Sequence, residues 1–345
     1  MLTYKSTDLP LLPTQVIGSH GVPGWIWIVR DAVGEGKMGP FDIDEALKDA
    51  TRLAIIDMEE AGVDIISDGE MQRADFTWHF HGKVHGLEPQ EFPRRLGYPG
   101  PDQLDAFRAV APLTVPDGYG HAEEFRYART LTDKPLISPI QSPVTQAFRI
   151  DPGTVYKNKT EVAWALVPYI NQELKEVVAA GCTHVQFDEP AYWIADGGPE
   201  EMVEIFNACV EGVEATIGFH LCFGNFRGRP ATSHRSFAVF APHFKDLNVD
   251  VLHIEFANRN MYEVELWEQY GGDKILCAGV IDVKGRSLEP VDVVADRIRA
   301  CLRHCAPDKL WLAPDCGFSQ TPRFLANQKM QVMVEAAALV RAEIA

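Results

Sequence analysis

The sequence lacks the features of a membrane or secreted protein. No apolar run approaches the roughly 20 residues that span a bilayer. The opening residues, MLTYKSTDLP, have neither the basic start nor the apolar stretch of a secretory signal. The seven cysteines are odd in number and show no spacing typical of a disulfide framework. These absences predict a cytoplasmic protein with reduced thiols.

Basic residues are also scarce. The chain has 32 Lys and Arg against 49 Asp and Glu, a formal net charge of −17. Proteins bind nucleic acids and acidic membranes through basic surfaces, so we expect neither as a partner. We also find no internal repeat and no interdomain linker in the sequence. We therefore expect one domain over residues 1–345.

What is present is an alternation of short β-branched runs with longer segments of helical periodicity. The predicted strands are Gln15–Ile17, Asp64–Ser67, Leu136–Ser138, His184–Phe187, Ile217–Leu221, Val251–Ile254, Ile275–Ala278 and Leu310–Ala313. Eight strands that alternate with helices predict an α/β fold, the (β/α)8 TIM barrel. Residues 72–132, rich in Pro, Gly, His and aromatic residues, interrupt the alternation. We expect them to form a long βα insertion over the barrel mouth.

A His and two Cys residues follow the predicted strands in a way that suggests a metal site. His220 and Cys222 are two positions apart, so on a strand they point to the same face. Cys316 follows another predicted strand and can reach the same rim of a barrel. Imidazole and two thiolates are a zinc-type ligand set, and a site without a fourth Cys or His is typical of catalytic zinc. Buried core thiols are the alternative interpretation of both cysteines.

Seven segments, in this order along the chain, point to a family. They are PTQVIGS (13–19), DGEMQRADF (68–76), QFDEPA (186–191), HLCFGNF (220–226), HIEFANRN (253–260), GVIDVK (279–284) and LWLAPDCGF (310–318). Together they resemble the C-terminal catalytic barrel of the cobalamin-independent methionine synthase family and its short single-barrel relatives. The resemblance implies a zinc-dependent S-methyltransferase that activates homocysteine, or a close thiol analogue, as a zinc thiolate and gives methionine.

The resemblance also implies the metal ligands and the substrate contacts. The zinc ligands would be His220, Cys222, Glu255 and Cys316, of which Glu255 is supplied by the family alone. For Glu255 the alternative is an ion pair at the barrel rim.

Ile17 and Ser19 match the positions that hold the homocysteine carboxylate, and Glu70 and Asp188 match the acids that bind its ammonium. Helix capping is the alternative for Ser19 and Asp188, and a surface acid is the alternative for Glu70. Asp315, beside a ligand, would orient a metal-bound group or belong to an ordinary turn.

Two departures from the family concern the methyl donor. Residues 138–148 lack the Trp that stacks on the pterin ring of methyltetrahydrofolate in the family. Lys284 aligns with the family's proton-donating His, and Lys is the weaker acid unless burial lowers its pKa. Demethylation of a tertiary amine needs that proton, whereas a corrinoid leaves without one. We therefore expect methylcobalamin or a corrinoid protein as donor, supplied from outside because the chain has no DxHxxG motif.

Other functions fit parts of the pattern. Alkyl transfer to coenzyme M, including epoxide opening, keeps the zinc chemistry but gives Glu70 and Asp188 no ammonium to bind. Its sulfonate would require cations such as Arg227 or Arg229. A structural zinc site predicts four ligands under packed loops, and a decarboxylase of the same barrel superfamily predicts no zinc ligands.

Overall fold

The computed structural model describes residues 9–73, 78–90, 107–191, 197–225, 235–319 and 321–344. The strands of this part are β1 (His85–Pro89), β2 (Phe107–Thr114), β3 (Ser138–Gln141), β4 (Ile150–Asp151), β5 (His184–Glu189), β6 (Thr216–Leu221), β7 (Val251–Glu255), β8 (Ile275–Ile281) and β9 (Leu310–Pro314). The helices are α1 (Gly24–Gly34), α2 (Pro40–Glu60), α3 (Trp78–His81), α4 (His121–Arg129), α5 (Pro143–Phe148), α6 (Lys159–Ala179), α7 (Gly198–Cys209), α8 (Leu266–Tyr270), α9 (Val291–Leu302) and α10 (Arg323–Ile344). Short 3₁₀ helices lie at Ala241–Asp246, Ala257–Arg259 and Pro307–Lys309.

Six parallel strands form the larger sheet, in the order β3-β5-β6-β7-β8-β9. Two short segments join its two edges. Gln15 N donates to Leu312 O (2.8 Å), and Val16 N donates to Ile65 O (3.1 Å). Ile137 N then donates to Ile66 O (2.9 Å). The hydrogen bonds thus run around a complete ring of eight parallel segments.

This ring confirms the predicted α/β TIM-barrel fold. The first two predicted strands are reduced to isolated bridges, Thr14↔Leu312, Gln15↔Ile65 and Ile66↔Leu136. The third strand extends to Gln141, three residues beyond its predicted end. All eight predicted positions nevertheless lie in the ring.

Apolar side chains fill the barrel and the layer between barrel and helices. A cluster inside the barrel consists of Ile17, Ile65, Ile137, Val251, Ile275, Cys277, Trp311 and Ala313. Full burial of a large aliphatic side chain contributes about 1.5–3 kcal/mol. Outside, α2 and α6 end before Gly62 and Gly181, whose φ angles of 79° and 100° suit glycine at a helix end. No helix in the described ranges combines the length and apolar character needed to cross a membrane.

The predicted insertion contains regular structure in its described part. β1 and β2 pair antiparallel with a register shift between His85 and Leu87, and β2 pairs in parallel with β4. Because β4 lies beyond the carboxyl end of β3, this small sheet sits on the side where the barrel strands end. The domain limits, 1–345 with an insertion at 72–132, stay a prediction, since residues 74–77 and 91–106 lie outside the described residues.

Candidate metal and substrate site

Three of the four predicted metal ligands meet at the carboxyl ends of β6 and β9. The candidate ligand atoms of His220, Cys222 and Cys316 all lie within 4.8 Å of one another, the one such group found in the described part of the chain. The two sulfur atoms are 3.7 Å apart. β6 brings His220 and Cys222 to one face because strand side chains alternate. β9, the third strand along the sheet from β6, brings Cys316 to the same place.

Glu255, the fourth predicted ligand, ends β7 beside this group but lies outside the 4.8 Å set. Its Oε2 accepts hydrogen bonds from Lys284 Nζ (2.7 Å) and from Phe223 N (3.1 Å). Its Oε1 is buried and has no hydrogen-bond partner. One carboxylate oxygen is therefore held by the protein, and the other is left for a ligand.

The donor set fits a metal ion. Buried polar atoms without partners are rare, and each one calls for an explanation. Here His220 Nε2 and Glu255 Oε1 are both buried and unpartnered, beside two thiols. Nitrogen, carboxylate oxygen and thiolate sulfur together are ligands that zinc accepts. These four side chains would hold the ion, and a bound Zn²⁺ would supply Lewis acidity that lowers the pKa of a thiol.

His220 is held from behind by a second histidine, His253. Their Nδ1 atoms are 2.5 Å apart, and His253 Nε2 lies 2.9 Å from the carbonyl oxygen of Pro314. Both rings are buried. Burial lowers the pKa of His253 to about 3 and the pKa of His220 well below its usual value, so both imidazoles are neutral near pH 7.

The two cysteines are unequal without a metal. Burial raises the pKa of Cys222, and Cys316 beside it raises it further. The hydrogen bond from Cys222 lowers the pKa of Cys316. Gly224 N also donates to the Cys222 sulfur at 3.4 Å. A divalent cation bound by both sulfur atoms would displace their protons.

Lys284 is a counter-charge to the ligand group. Its side chain is 2% exposed and pairs with Glu255. Burial would lower its pKa, but Glu255 and the two cysteine thiols raise the pKa above the ordinary value. The condition that would make Lys284 a useful proton donor, a pKa lowered by burial, is therefore not met.

The predicted ammonium-binding acids lie at or just after the carboxyl ends of the two barrel segments that flank β3. Asp188 is the last residue but one of β5, and its Oδ1 accepts a hydrogen bond from Gln186 Nε2 (2.9 Å). Burial raises the pKa of Asp188 well above its usual value, and repulsion from Glu70 and from Cys316 raises it further. Such a pair of buried acids favours a cation between them.

Glu70 is placed by a tight turn. Asp68 Oδ1 accepts from Glu70 N (2.9 Å), and Glu70 has a φ of 55°, a conformation that costs a non-glycine residue about 1–3 kcal/mol. A Cβ atom on Gly18 would lie 2.5 Å from Glu70 Oε1, so only glycine admits the carboxylate there. Burial raises the pKa of Glu70 to about 7, although the Arg73 guanidinium, 3.3 Å away, opposes the rise.

Arg73 was not singled out by the sequence, yet it connects the insertion to the site. It donates two hydrogen bonds to Glu124 of α4 (3.1 and 3.0 Å) and one to the carbonyl of Pro139 (2.9 Å). It therefore holds the Glu70 turn against both α4 and β3. Glu124 lies 51 residues further along the chain, so sequence spacing offered no signal for this contact.

Ile17 and Ser19, the predicted carboxylate contacts, lie at the same rim. The Ile17 carbonyl accepts from Gln186 Nε2 (2.5 Å), the amide that also binds Asp188. The Ser19 hydroxyl accepts from Ser319 N (3.3 Å), and its carbonyl accepts from Phe318 N (2.7 Å). Both residues are thus tied to segments that carry other predicted site residues. Their roles stay predictions.

Asp315 supports the turn after Glu255. Its Oδ1 accepts from the backbone N–H groups of Phe256 (2.9 Å) and Ala257 (2.8 Å), and its Oδ2 accepts from Asn258 N (2.6 Å). These contacts fix the residues that directly follow the carboxylate ligand candidate. The predicted orientation of a metal-bound group by Asp315 stays a prediction, and the observed contacts are with backbone.

A cleft of about 540 Å³ opens beside Lys284. Its described walls include Trp27 of α1, Arg286 and Phe324 of α10. Trp27 and Phe324 are exposed, at 52% and 69% of their accessible surface. Two aromatic rings and a cation next to the ligand group are suited to a conjugated, anionic small molecule.

Comparison with known families decides the relationship. The family model described as "Cobalamin-independent synthase, Catalytic domain" matches residues 12–339. The chain belongs to the cobalamin-independent synthase family. This membership confirms the resemblance predicted from the seven segments and makes the protein a methyltransferase.

Relatives of this family match over nearly the whole chain. Methionine synthase from Saccharolobus solfataricus is 35% identical over 346 aligned residues, covering 98% of this chain and 97% of that protein. Methionine synthase from Pyrococcus abyssi is 32% identical, covering 98% and 95%. A B12-independent methionine synthase from a Shewanella species, solved with selenomethionine, superposes with a TM-score of 0.84 at 26% identity, covering 97% and 99%.

Like Arg73, His253 and Gln186 are site residues that the sequence analysis passed over, although all three stand inside the segments that indicate the family. His253 has a readable signal, because H-I-E at 253–255 repeats the spacing of H-L-C at 220–222. Gln186 stands two residues before Asp188 and so shares its face of β5. Arg227 and Arg229 lie outside the described residues.

Proposed function

We propose that the protein transfers a methyl group to the sulfur of homocysteine at a zinc ion held by His220, Cys222, Glu255 and Cys316, and releases methionine. One observation carries the proposal. The unpartnered Nε2 of His220 converges with two thiols at the strand ends, and the unpartnered Oε1 of Glu255 lies at the end of the strand between them. The similar methionine synthases support the same substrate.

In this proposal different residues bind the ammonium and the carboxylate of the substrate. The substrate ammonium is placed between Glu70 and Asp188, where two buried carboxylates lack a counter-charge of their own beyond Arg73. The substrate carboxylate is placed at Ser19 and the backbone of Ile17. The thiol then faces the two cysteines, because Asp188 and Cys316 are close enough to interact electrostatically. The thiol releases its proton to solvent, its sulfur forms a bond to the methyl carbon, and the bond between that carbon and the donor breaks with its electron pair leaving on the donor.

Lys284 balances charge in this proposal. Two thiolates and one carboxylate carry three negative charges against the two positive charges of zinc. The Lys284 ammonium on Glu255 brings the sum to zero within a buried site. A neutral centre avoids the desolvation cost of a buried net charge.

Two considerations point to different donors. The family description, cobalamin-independent, favours methyltetrahydrofolate. The raised pKa of Lys284 and its bond to Glu255 favour a donor that leaves without a proton, such as methylcobalamin or a corrinoid protein. In both cases we propose that the donor approaches through the cleft that Trp27, Arg286 and Phe324 line.

Parallel methyl-transfer reactions test the proposal. Zinc-loaded protein is incubated with homocysteine and either methylcobalamin or methyltetrahydrofolate, and methionine is measured by mass spectrometry. We expect methionine from at least one donor and none from Cys316→Ser with either. Arg286→Ala should raise the donor concentration needed without altering that for homocysteine. Methionine from neither donor, with turnover of coenzyme M and an epoxide, would replace the proposal by the alkyl-transfer alternative.

A further inference from the structure

The side chains of β6 and β7 lie in two matched layers inside the barrel. Phe219 pairs with Leu252, and His220 pairs with His253, in the parallel register of the two strands. Since side chains alternate, Cys222 and Glu255 stand one layer above His220 and His253, closer to the mouth. His253 thus has the same position on β7 that His220 has on β6. One histidine of this layer is a ligand candidate, and the other is not.

Hydrogen-bond directions within this layer follow from chemistry. The Pro314 carbonyl can only accept, so the hydrogen between it and His253 must be on Nε2 of His253. A neutral His253 ring then has a bare Nδ1, which can only accept a hydrogen bond. The neighbouring Nδ1 of His220, 2.5 Å away, must therefore carry its hydrogen. The remaining nitrogen of His220, Nε2, is left with its lone pair exposed.

The observed surroundings of His220 agree with this assignment. Its Nε2 is buried and has no hydrogen-bond partner, as expected for a lone pair directed at a ligand. The opposite tautomer would bury an unsatisfied N–H at that atom and bring two bare Nδ1 atoms together, which are two unfavourable contacts.

We propose that His253 is a positioning residue that selects the metal-binding tautomer of His220. Its Nε2–H donates to the Pro314 carbonyl, so its Nδ1 accepts the hydrogen of His220 Nδ1 and leaves His220 Nε2 to bind the metal. The proposal rests on zinc binding at this site, as in the proposed function. It also links the two halves of the centre, because Pro314 lies two residues before Cys316 on β9. Hydrogen bonds in this layer thus connect β9, which leads to Cys316, with His220 on β6. Residues that orient a ligating histidine typically contribute about 10- to 100-fold to metal affinity.

Three variants separate positioning from mere packing. His253→Leu keeps most of the volume but offers no acceptor, and we expect the zinc dissociation constant to rise about 10- to 100-fold. His253→Asn offers its side-chain oxygen near the place of Nδ1, and we expect it to recover most of that affinity. His184→Leu is the matched control, because His184 is also a buried barrel histidine but begins β5, five residues before the carboxyl end of the strand. It should leave zinc affinity unchanged. Zinc affinity is measured by competition with a chromophoric chelator.

A measurement on unmutated protein keeps the proposal testable if a variant does not fold. Long-range ¹H–¹⁵N correlation of the ring nitrogens in metal-free protein should show His220 protonated at Nδ1 and bare at Nε2, with the reverse in His253. Protonation of His220 at Nε2 would overturn the proposal. So would equal zinc affinity of wild type and His253→Leu. If the wild type binds no zinc, the proposed function fails instead, and the nitrogen assignment still decides this inference.

Discussion

Removal of the Lys284 charge would test the electrostatic balance of the site. Lys284 Nζ lies 2.7 Å from Glu255 Oε2, and the two side chains are 2% and 0% exposed. We predict that Lys284→Met lowers the free energy of unfolding of the metal-free protein by about 3–5 kcal/mol, since the variant leaves a carboxylate buried without its partner. Zinc would compensate that carboxylate. It should therefore raise the melting temperature of the variant by more than it raises that of the wild type.

Denaturant unfolding of chelator-treated protein measures this loss. Glu255→Gln and the double variant complete a mutant cycle, in which the double variant should be more stable than Lys284→Met alone. Lys329→Met is the matched control, because Lys329 is also fully buried and pairs with a different carboxylate, Glu289. It should lower stability without changing the response to zinc. A loss below about 1 kcal/mol for Lys284→Met, the value of an exposed pair, together with no coupling in the cycle, would refute the reasoning.

Three further predictions address ligand and substrate binding. Cys316→Ser should lose stoichiometric zinc because an alcohol is a poor zinc ligand, whereas Cys305→Ser should keep it; elemental analysis of dialysed protein distinguishes them. Asp188→Asn should raise the KM for homocysteine about 10- to 100-fold with zinc content unchanged, and equal use by the wild type of a thiol without an amino group would contradict this. Because the ammonium needs an ionised acid and the pKa of Glu70 is about 7, the KM should rise as pH falls below 7. In Glu70→Gln this rise should be weaker, and an identical pH profile would exclude Glu70.

The sequence was sufficient for the barrel and for the part of the site that depends on local periodicity. His220 and Cys222 share a face because strand side chains alternate, and that rule needs no knowledge of the fold. Glu255 was different, because a single acid after a strand is as typical of an ion pair as of a ligand. The family resemblance identified Glu255 as a ligand candidate. In the structure one of its carboxylate oxygens accepts a hydrogen bond from Lys284, and the other is buried without a hydrogen-bond partner.

The sequence did not reveal the antiparallel strand pair within the insertion. β1 contains Gly86 and β2 contains Pro112, residues that usually interrupt strands, and so the segment was interpreted as irregular. Both are tolerated here because they lie within the register shift between the pairs His85↔Thr114 and Leu87↔Ala109.

Contacts between distant residues could not be predicted either. Arg73 reaches Glu124 and Pro139, and the role of Lys284 depends on a partner 29 residues away. Alignment places Lys284 at the position of a proton-donating histidine, and its role as an acid stays a prediction. The structure shows its ammonium bound to the Glu255 carboxylate, which raises the pKa of Lys284. Charge partners of this kind depend on the closed barrel, because neighbouring strands bring them together.

Activation of the thiol is the central claim, and homocysteine binding tests it most directly. Calorimetric titration of zinc-loaded protein, in two buffers of different ionisation enthalpy near pH 7, reports both affinity and proton release. We predict one homocysteine per chain and release of about one proton, because a free thiol with a pKa of about 8.5 would bind as a thiolate. Metal-free protein should bind at least about tenfold more weakly, as a lost ligand contact of about 1.4 kcal/mol or more requires. Equal affinity with and without zinc, and no proton release, would contradict the account.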